Sequence, residues 1–475
     1  MDELISEGSM PAQPAGFNAK AVYAWYVVVV LALGHLVSFI DRTIMSLVVQ
    51  PMKVSLSLSD TGIGLLVGLG FAILYVVFGL PLGRLADTAN RRLIIVAGIF
   101  FWSVMTALCG FARNVPELFI ARIGVGLGEA ALIPAAMSLL TDYLPQARLA
   151  RAVSVLTMGA ALGKSASLIG GGATLTWLNG SGGFLLDALG GLQPWQGVLV
   201  CAAIPGLVVA LLALTIKEPP RSASIALHRS KRFSIADTFS HLFANRRAYG
   251  GHLLAACVVI VLVQGISVWT PTFLVRKFHM TVAHSGYVFG LVVISAGLLG
   301  NMFGGWNTDR LRARGRLDAP ERHIFGALLV ALGPGIAFCL VPNLTLAIIC
   351  LWLYYATVST CTAPTLAGVQ LITSAPRRGV VTAIYLGAVN LAGFGLGPAF
   401  VGALNDYVFR QSAALPYSLA IAIVLLVALG MIAACIAMPA YRVLAMSVQD
   451  ETQDLLRGQG MSAKRCTEQF RGFEP

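Results

Sequence analysis

The sequence predicts an all-α membrane protein, with twelve transmembrane helices in two pseudo-symmetric six-helix bundles. Three observations carry this. The 475 residues are 57% hydrophobic and only 11% charged, where a soluble protein carries about 25% charged residues. Twelve apolar segments each approach the roughly 20 residues that a bilayer-crossing helix needs. Lys and Arg crowd into alternate connecting loops.

The segments run over about 24–50, 62–84, 93–112, 116–140, 149–172, 195–216, 250–274, 284–305, 323–341, 343–372, 379–407 and 415–440. With both termini cytoplasmic, the inner loops hold Arg84, Arg91 and Arg92, Arg148 and Arg151, the basic cluster from Lys217 to Arg247, Arg310 to Arg322, and Arg377 and Arg378. The outer loops hold Lys53, Arg113, Arg276, Lys277 and Arg410. That bias predicts both ends inside, and the short outer loops point to a bacterial cell (inner) membrane. The longest inner loop, with Pro219-Pro220, divides the chain. The expected organisation is an N-terminal tail 1–23, a bundle 24–216, a linker 217–249, a second bundle 250–440 and a polar, partly disordered tail 441–475.

Several classes drop out. The net charge of +12 sits in short loops rather than on one face, which argues against nucleic acid. Of the eight cysteines, seven lie in apolar segments and none has C-x-x-C spacing, so no metal or cofactor is expected and they read as packing residues. The acidic start, Asp2 and Glu3, lacks the basic n-region of a signal peptide, so the first span should be retained. No nucleophile stands at recognisable spacing from a base, and no segment is long enough for a soluble catalytic domain. No catalytic residue is assigned, and an enzyme is not expected.

The halves echo each other. Gly83-Arg84-Leu85-Ala86-Asp87 with Arg91-Arg92 follows span 2, and Gly305-Trp306-Asn307-Thr308-Asp309-Arg310 follows span 8. Repeated halves are how many secondary transporters build alternating access, with the binding site between the halves near mid-membrane.

Deep charge is confined to the first half: Asp41 and Arg42 in span 1, Arg122 and Glu129 in span 4, and Lys164 in span 5. Charged groups at that depth are costly and mark functional sites by default. Arg122 and Glu129 are seven residues apart and share a helix face. Burial disfavours a carboxylate's charged form and a neighbouring guanidinium favours it. Asp41 and Glu129 are therefore candidates for proton uptake and release, or else partners in ion pairs tying span 1 to span 4. Arg42 and Arg122 suit bidentate contact with phosphate or carboxylate, although Arg122 could equally be the partner of Glu129. Lys164 either snorkels or faces the cavity. His35 is a candidate relay or a hydrogen-bonded packing residue; His252 is a weaker candidate for the relay. The second half offers Gln264 and Trp269 in span 7, and Tyr354, Tyr355 and Thr357 in span 10, as uncharged substrate contacts, or as helix-packing groups.

Gly83-Arg84-Leu85-Ala86-Asp87-Thr88-Ala89-Asn90-Arg91-Arg92 resembles the G-x-L-x-D-x-x-x-R-R loop of the major facilitator superfamily, and Arg122-Ile123-Gly124-Val125-Gly126 resembles its span-four R-x-x-x-G signature. Phe39-Ile40-Asp41-Arg42, Leu58-Ser59-Asp60-Thr61, and Gly128-Glu129-Ala130 with Asp142-Tyr143 are similar to the spinster-like branch. The resemblance implies that spans 1, 4, 7 and 10 line a central cavity, with Asp41 and Arg42 turned toward spans 4 and 7. It makes Gly83, Asp87, Arg91 and Arg92 a conformational latch that holds the two halves together on the inner side in the outward-open state. It also implies a monomeric, proton-coupled antiporter of an amphipathic anionic lipid, of the sphingosine-1-phosphate or lysolipid type, moved outward. Alternatives are a carrier of a small organic anion or drug, and an uncoupled lipid scramblase. One departure stands out: Lys164 occupies the place where superfamily antiporters often carry the Pro of a span-five Gly-Pro pair, which puts the usual kink in doubt.

Overall fold

A computed structural model of the chain describes residues 19–180, 182–219, 235–374 and 377–458. Among these residues all regular structure is helical. Twelve helices are long and apolar enough to cross a membrane: Val22–Leu47, Asp60–Gly79, Arg91–Phe111, Val115–Tyr143, Arg151–Asn179, Pro194–Ala213, Arg246–Phe278, Val282–Ala313, Ala319–Leu340, Leu344–Leu371, Arg378–Phe409 and Ser412–Glu451. They are numbered spans 1 to 12 below. Span 1 packs along span 5 and span 3 along span 6; span 7 packs along span 12 and span 8 along span 10. The face of the bundle from which span 1 starts and at which span 12 ends is called the terminal face, and the opposite one the distal face.

The spans are interrupted where the chemistry lies. Span 4 breaks between Glu129 and Leu132, and span 10 breaks between Ser359 and Thr362, a further echo of one half in the other. Spans 7 and 11 carry π-helical turns at Val261–Gly265 and Leu391–Leu396. Turns of this kind re-aim side chains and recur at functional sites. Span 5 belongs to one unbroken helix, Gln146–Asn179. This agrees with Lys164 standing where a kinking proline would be.

The halves meet toward the distal face, through spans 2 and 11 and through spans 5 and 8. The approach of span 2 to span 11 is close enough to need glycine. A Cβ on Gly64 would lie 2.5 Å from the Pro398 carbonyl, and one on Gly68 would lie 2.4 Å from that of Gly395. The distal ends are also tied by charge. Arg276 of span 7 donates from both terminal nitrogens to the Asp60 carboxylate, at 2.8 Å each, and its Nε donates to Gln50. Lys53 and Asn405 donate to the same carboxylate at 2.5 and 2.6 Å. Asp406 in turn accepts from the backbone N–H groups of Asp60 and Thr61. Asp60 is thus the centre of a clasp joining the short helix Val49–Ser55 after span 1 to spans 2, 7 and 11.

Two expectations need revision. The polar stretch after 440 continues span 12: the helix Leu415–Gly458 carries on through Tyr441, whose buried hydroxyl donates to the Gly368 carbonyl at 2.8 Å. The linker 217–249 contains a helix, Ile235–Ala244; its residues 220–234, like the tails 1–18 and 459–475, lie outside the described residues.

Candidate functional site

Span 1 sets the geometry. Arg42 points to the centre of the molecule and donates from Nε to Glu129 Oε2 at 2.5 Å; Ser38, one turn earlier, donates to the same oxygen at 2.7 Å. Both members of this ion pair are buried. The partner of Glu129 is therefore Arg42 and not Arg122, despite the shared face of span 4. Arg122 instead donates to the span 1 backbone, to the Asp41 carbonyl at 3.1 Å and the Arg42 carbonyl at 3.4 Å.

Four rings surround the Arg42 guanidinium. Phe39, Phe71 and Tyr75 lie 4.9, 4.7 and 4.6 Å from it, and Phe394 of span 11 lies 5.4 Å away. A desolvated cation over an aromatic face gains about 2 kcal/mol, so the rings offset part of the cost of holding Arg42 in a dry place. Arg122 shares Phe71 at 5.2 Å, and Lys164 lies 5.5 Å from the Phe39 ring. Phe39 stood out in the sequence only as part of the motif that holds Arg42; Phe71, Tyr75 and Phe394 did not, because spans 2 and 11 contribute them.

A cavity of about 40 Å³ opens between the halves. Its wall includes Arg42, Arg122 and Lys164 from the first half, and Gln264, Tyr355 and Phe394 from the second. Lys164 faces the cavity and donates to Gln264 Oε1 at 2.8 Å, a hydrogen bond across the two halves. The π-turn of span 7 carries Gln264 to this position. Three cations thus converge on one small space with Glu129 as the paired counter-charge.

Other expected site residues lie elsewhere. Asp41 does not face span 7: it turns about 100° away from Arg42, into the seam between spans 1, 3 and 4. There it is 1% exposed. Trp102 and Thr106 of span 3 stand beside its carboxyl without meeting hydrogen-bond geometry. Leaving a buried polar group unmet costs about 1–3 kcal/mol, and each such group in a folded protein calls for an explanation, a functional role being one. His35 donates from Nδ1 to the Leu156 carbonyl at 2.9 Å and stacks edge-on against Phe39, so it packs span 1 on span 5. Trp269 is fully buried and donates to the Pro398 carbonyl at 2.9 Å, joining spans 7 and 11. Span 10 separates its candidates by helical phase. Tyr355 faces the cavity, whereas Tyr354 is turned to span 9 against Phe338 and donates to the Leu262 carbonyl at 3.2 Å. Thr357, two residues past Tyr355, faces a separate groove.

The latch residues belong to the first half. Gly83 lies against Pro134 of span 4. Arg91 is buried; it binds Asp142 and the Ser138 carbonyl, and donates from Nε to Glu218 at 2.7 Å. Arg92 donates from its backbone N–H to Glu218 and from its side chain to the Ile216 carbonyl. In this conformation, with the distal ends together, the two arginines tie span 3 to the ends of spans 4 and 6. The Asp87 side chain lies outside the described residues. The second half also contains a buried pair at the terminal face that the sequence understated: His252 meets Glu321 at 2.5 Å through Nδ1 and the Thr365 carbonyl at 2.8 Å through Nε2.

The Major Facilitator Superfamily family model matches residues 31–320. The chain belongs to this superfamily. It is a multi-pass membrane transporter and not an enzyme. A Major Facilitator Superfamily-type efflux pump of Mycolicibacterium smegmatis is 30% identical over 390 residues, covering 81% of this chain and 85% of its own. The sphingosine-1-phosphate transporter SPNS2 of Danio rerio is 24% identical over 397 residues, covering 79% and 75%. Among solved structures, a bacterial homologue of the human lysosomal transporter spinster, in an inward-facing and occupied conformation, superposes with a TM-score of 0.75 at 27% identity, covering 88% of this chain and 97% of its own.

Proposed function

We propose that this superfamily member is a proton-coupled secondary transporter that moves an amphipathic anion, with a single-chain lipid phosphate of the sphingosine-1-phosphate or lysolipid type as the favoured substrate. The observation that carries the reading is Arg42: a caged guanidinium on the cavity wall whose counter-charge is a buried carboxylate. An anionic head group entering the cavity competes with Glu129 for Arg42 and with Gln264 for Lys164. Glu129 then loses its counter-charge and takes a proton; conversely, a proton on Glu129 frees Arg42 for the anion. Proton and anion favour one another on this pair, and the effect is reciprocal. The pair therefore loads both together, which is co-transport rather than the exchange that the resemblance implies. Phe71, Phe289, Tyr355 and Phe394 offer an apolar lining for a chain. The basic loops favour a cytoplasmic terminal face, and the Asp60 clasp then closes the external gate.

A second reading, a carrier of small organic anions or drugs, is favoured by the small cavity and by the efflux-pump relative. Thermal unfolding of the purified chain separates the two. A single-chain lipid phosphate at about 100 times its Kd is expected to add about 2.7 kcal/mol of stability and raise the midpoint. The same head group without its chain is expected to leave the midpoint unchanged, and Arg42→Gln to abolish the shift. Equal stabilisation by the chain-free anion would favour the second reading.

A further inference from the structure

Spans 8 and 9 diverge on the outside of the second half and leave a groove of about 590 Å³, floored by span 10. It is separate from the central cavity: Tyr355 looks into one and Thr357 into the other, about 200° apart on span 10. Its flanks are exposed and apolar. Met302, Phe303, Leu329 and Val330 all face outward within segments apolar enough to span a bilayer, so the groove opens to hydrocarbon. What fills it must come from the membrane.

The groove changes character along its length. Toward mid-membrane it is lined by Leu299, Phe303 and Val330, and toward the terminal face by Asn307 and Arg322. The terminal end is also marked as the lipid–water boundary. Trp306 is half-exposed there and Arg310 lies over its ring at 5.2 Å, the pairing of an interfacial aromatic with a snorkelling cation. Arg310 and Arg312 at the end of span 8, Arg314 and Arg316 in the turn, and Arg322 at the start of span 9 cluster there. Arg322 is held at the groove mouth by its Nε bond to Asp318 at 2.8 Å. The inner wall is left open by Gly326, where an added Cβ would meet nothing within 4 Å.

We propose that this groove is a binding site for an anionic phospholipid of the leaflet at the terminal face. One acyl chain lies between Phe303 and Val330, across Gly326. The phosphate sits among the arginines that join spans 8 and 9. The lipid is a resident of the outer wall, distinct from the transported molecule, so the proposal stands independently of the cavity's substrate. It braces span 8 against span 9 in the half that must move as a body during transport.

Native mass spectrometry of the detergent-purified full chain tests this, with phosphatidylglycerol and phosphatidylcholine of matched chains as probes. Wild type is expected to hold one phosphatidylglycerol about fivefold or more tighter than phosphatidylcholine, from about one arginine's worth of surface attraction. Gly326→Leu starts from a Cβ position with open space around it, projects into the groove and is expected to lose that one lipid at an unchanged thermal midpoint. Arg322→Gln is expected to keep the lipid and lose the preference for the anionic head. Equal affinities for the two probes in wild type would overturn the proposal. So would a tight lipid kept in Gly326→Leu, or one lost instead in Arg42→Gln, which would put it in the central cavity.

Discussion

Asp60→Asn is expected to open the distal face. The Asp60 carboxylate is 0% exposed and answers two cations, Arg276 and Lys53, together with Asn405. The amide leaves those cations facing each other beside a neutral group. Removing one partner of a buried pair costs about 3–5 kcal/mol. Here the cost falls on one conformation only, since the clasp joins the two halves and exists only when their distal ends are together. A shift of about 5.5 kcal/mol takes a two-state equilibrium from 99:1 to 1:99, so the loss is large enough to make the distally open state a major one. Spin labels on Ser55→Cys and Gln411→Cys, exposed positions on either side of the clasp, would read the change in a background without native cysteines. The wild type should give a short distance, and Asp60→Asn a longer one as its main population. An unchanged distribution would show that the glycine-lined crossing of spans 2 and 11 holds the face shut without the clasp.

The second large effect concerns Arg42 and Glu129. Arg42→Met leaves a buried carboxylate with Ser38 as its remaining donor, and about 3–5 kcal/mol of stability should be lost. Replacing a whole buried pair by apolar residues of similar volume is often neutral or stabilising. Arg42→Met with Glu129→Met should therefore recover most of the thermal midpoint while transport stays abolished. This combination separates the roles of the pair. If the pair only fastened span 1 to span 4, the stable double variant would transport normally.

The sequence displayed the spans more clearly than their phases. Twenty apolar residues specify a crossing whatever they touch, so the twelve spans follow from length and composition. The end of span 12 did not, because hydropathy falls after Pro439. The helix continues because Tyr441, Leu444 and Ala445 recur at three- and four-residue spacing and pack in a second, smaller core with Tyr249 and Tyr385. The charged centre was legible because Arg42, Glu129 and Lys164 are out of place in lipid. Their partners were not, since a partner depends on the rotation of each helix about its own axis. Tyr354 and Tyr355 are neighbours in sequence and face different spans. Gln264 reaches the cavity through a π-turn that leaves no mark in the sequence. Asp60 sat in plain view within Leu58-Ser59-Asp60-Thr61, but its partners come from the short helix Val49–Ser55 after span 1 and from spans 7 and 11, and only the packing of the halves brings them together.

Coupling through the Arg42–Glu129 pair is the centre of this account, and flux into proteoliposomes under an imposed pH gradient tests it most directly. The substrate is a single-chain lipid phosphate, compared in wild type, Glu129→Gln and Asp41→Asn. The account predicts that a proton gradient drives wild-type flux in the direction of proton movement, and that Glu129→Gln loses the gradient dependence while still binding substrate. Wild-type flux that ignores the gradient, or gradient-driven flux that survives in Glu129→Gln, would contradict it.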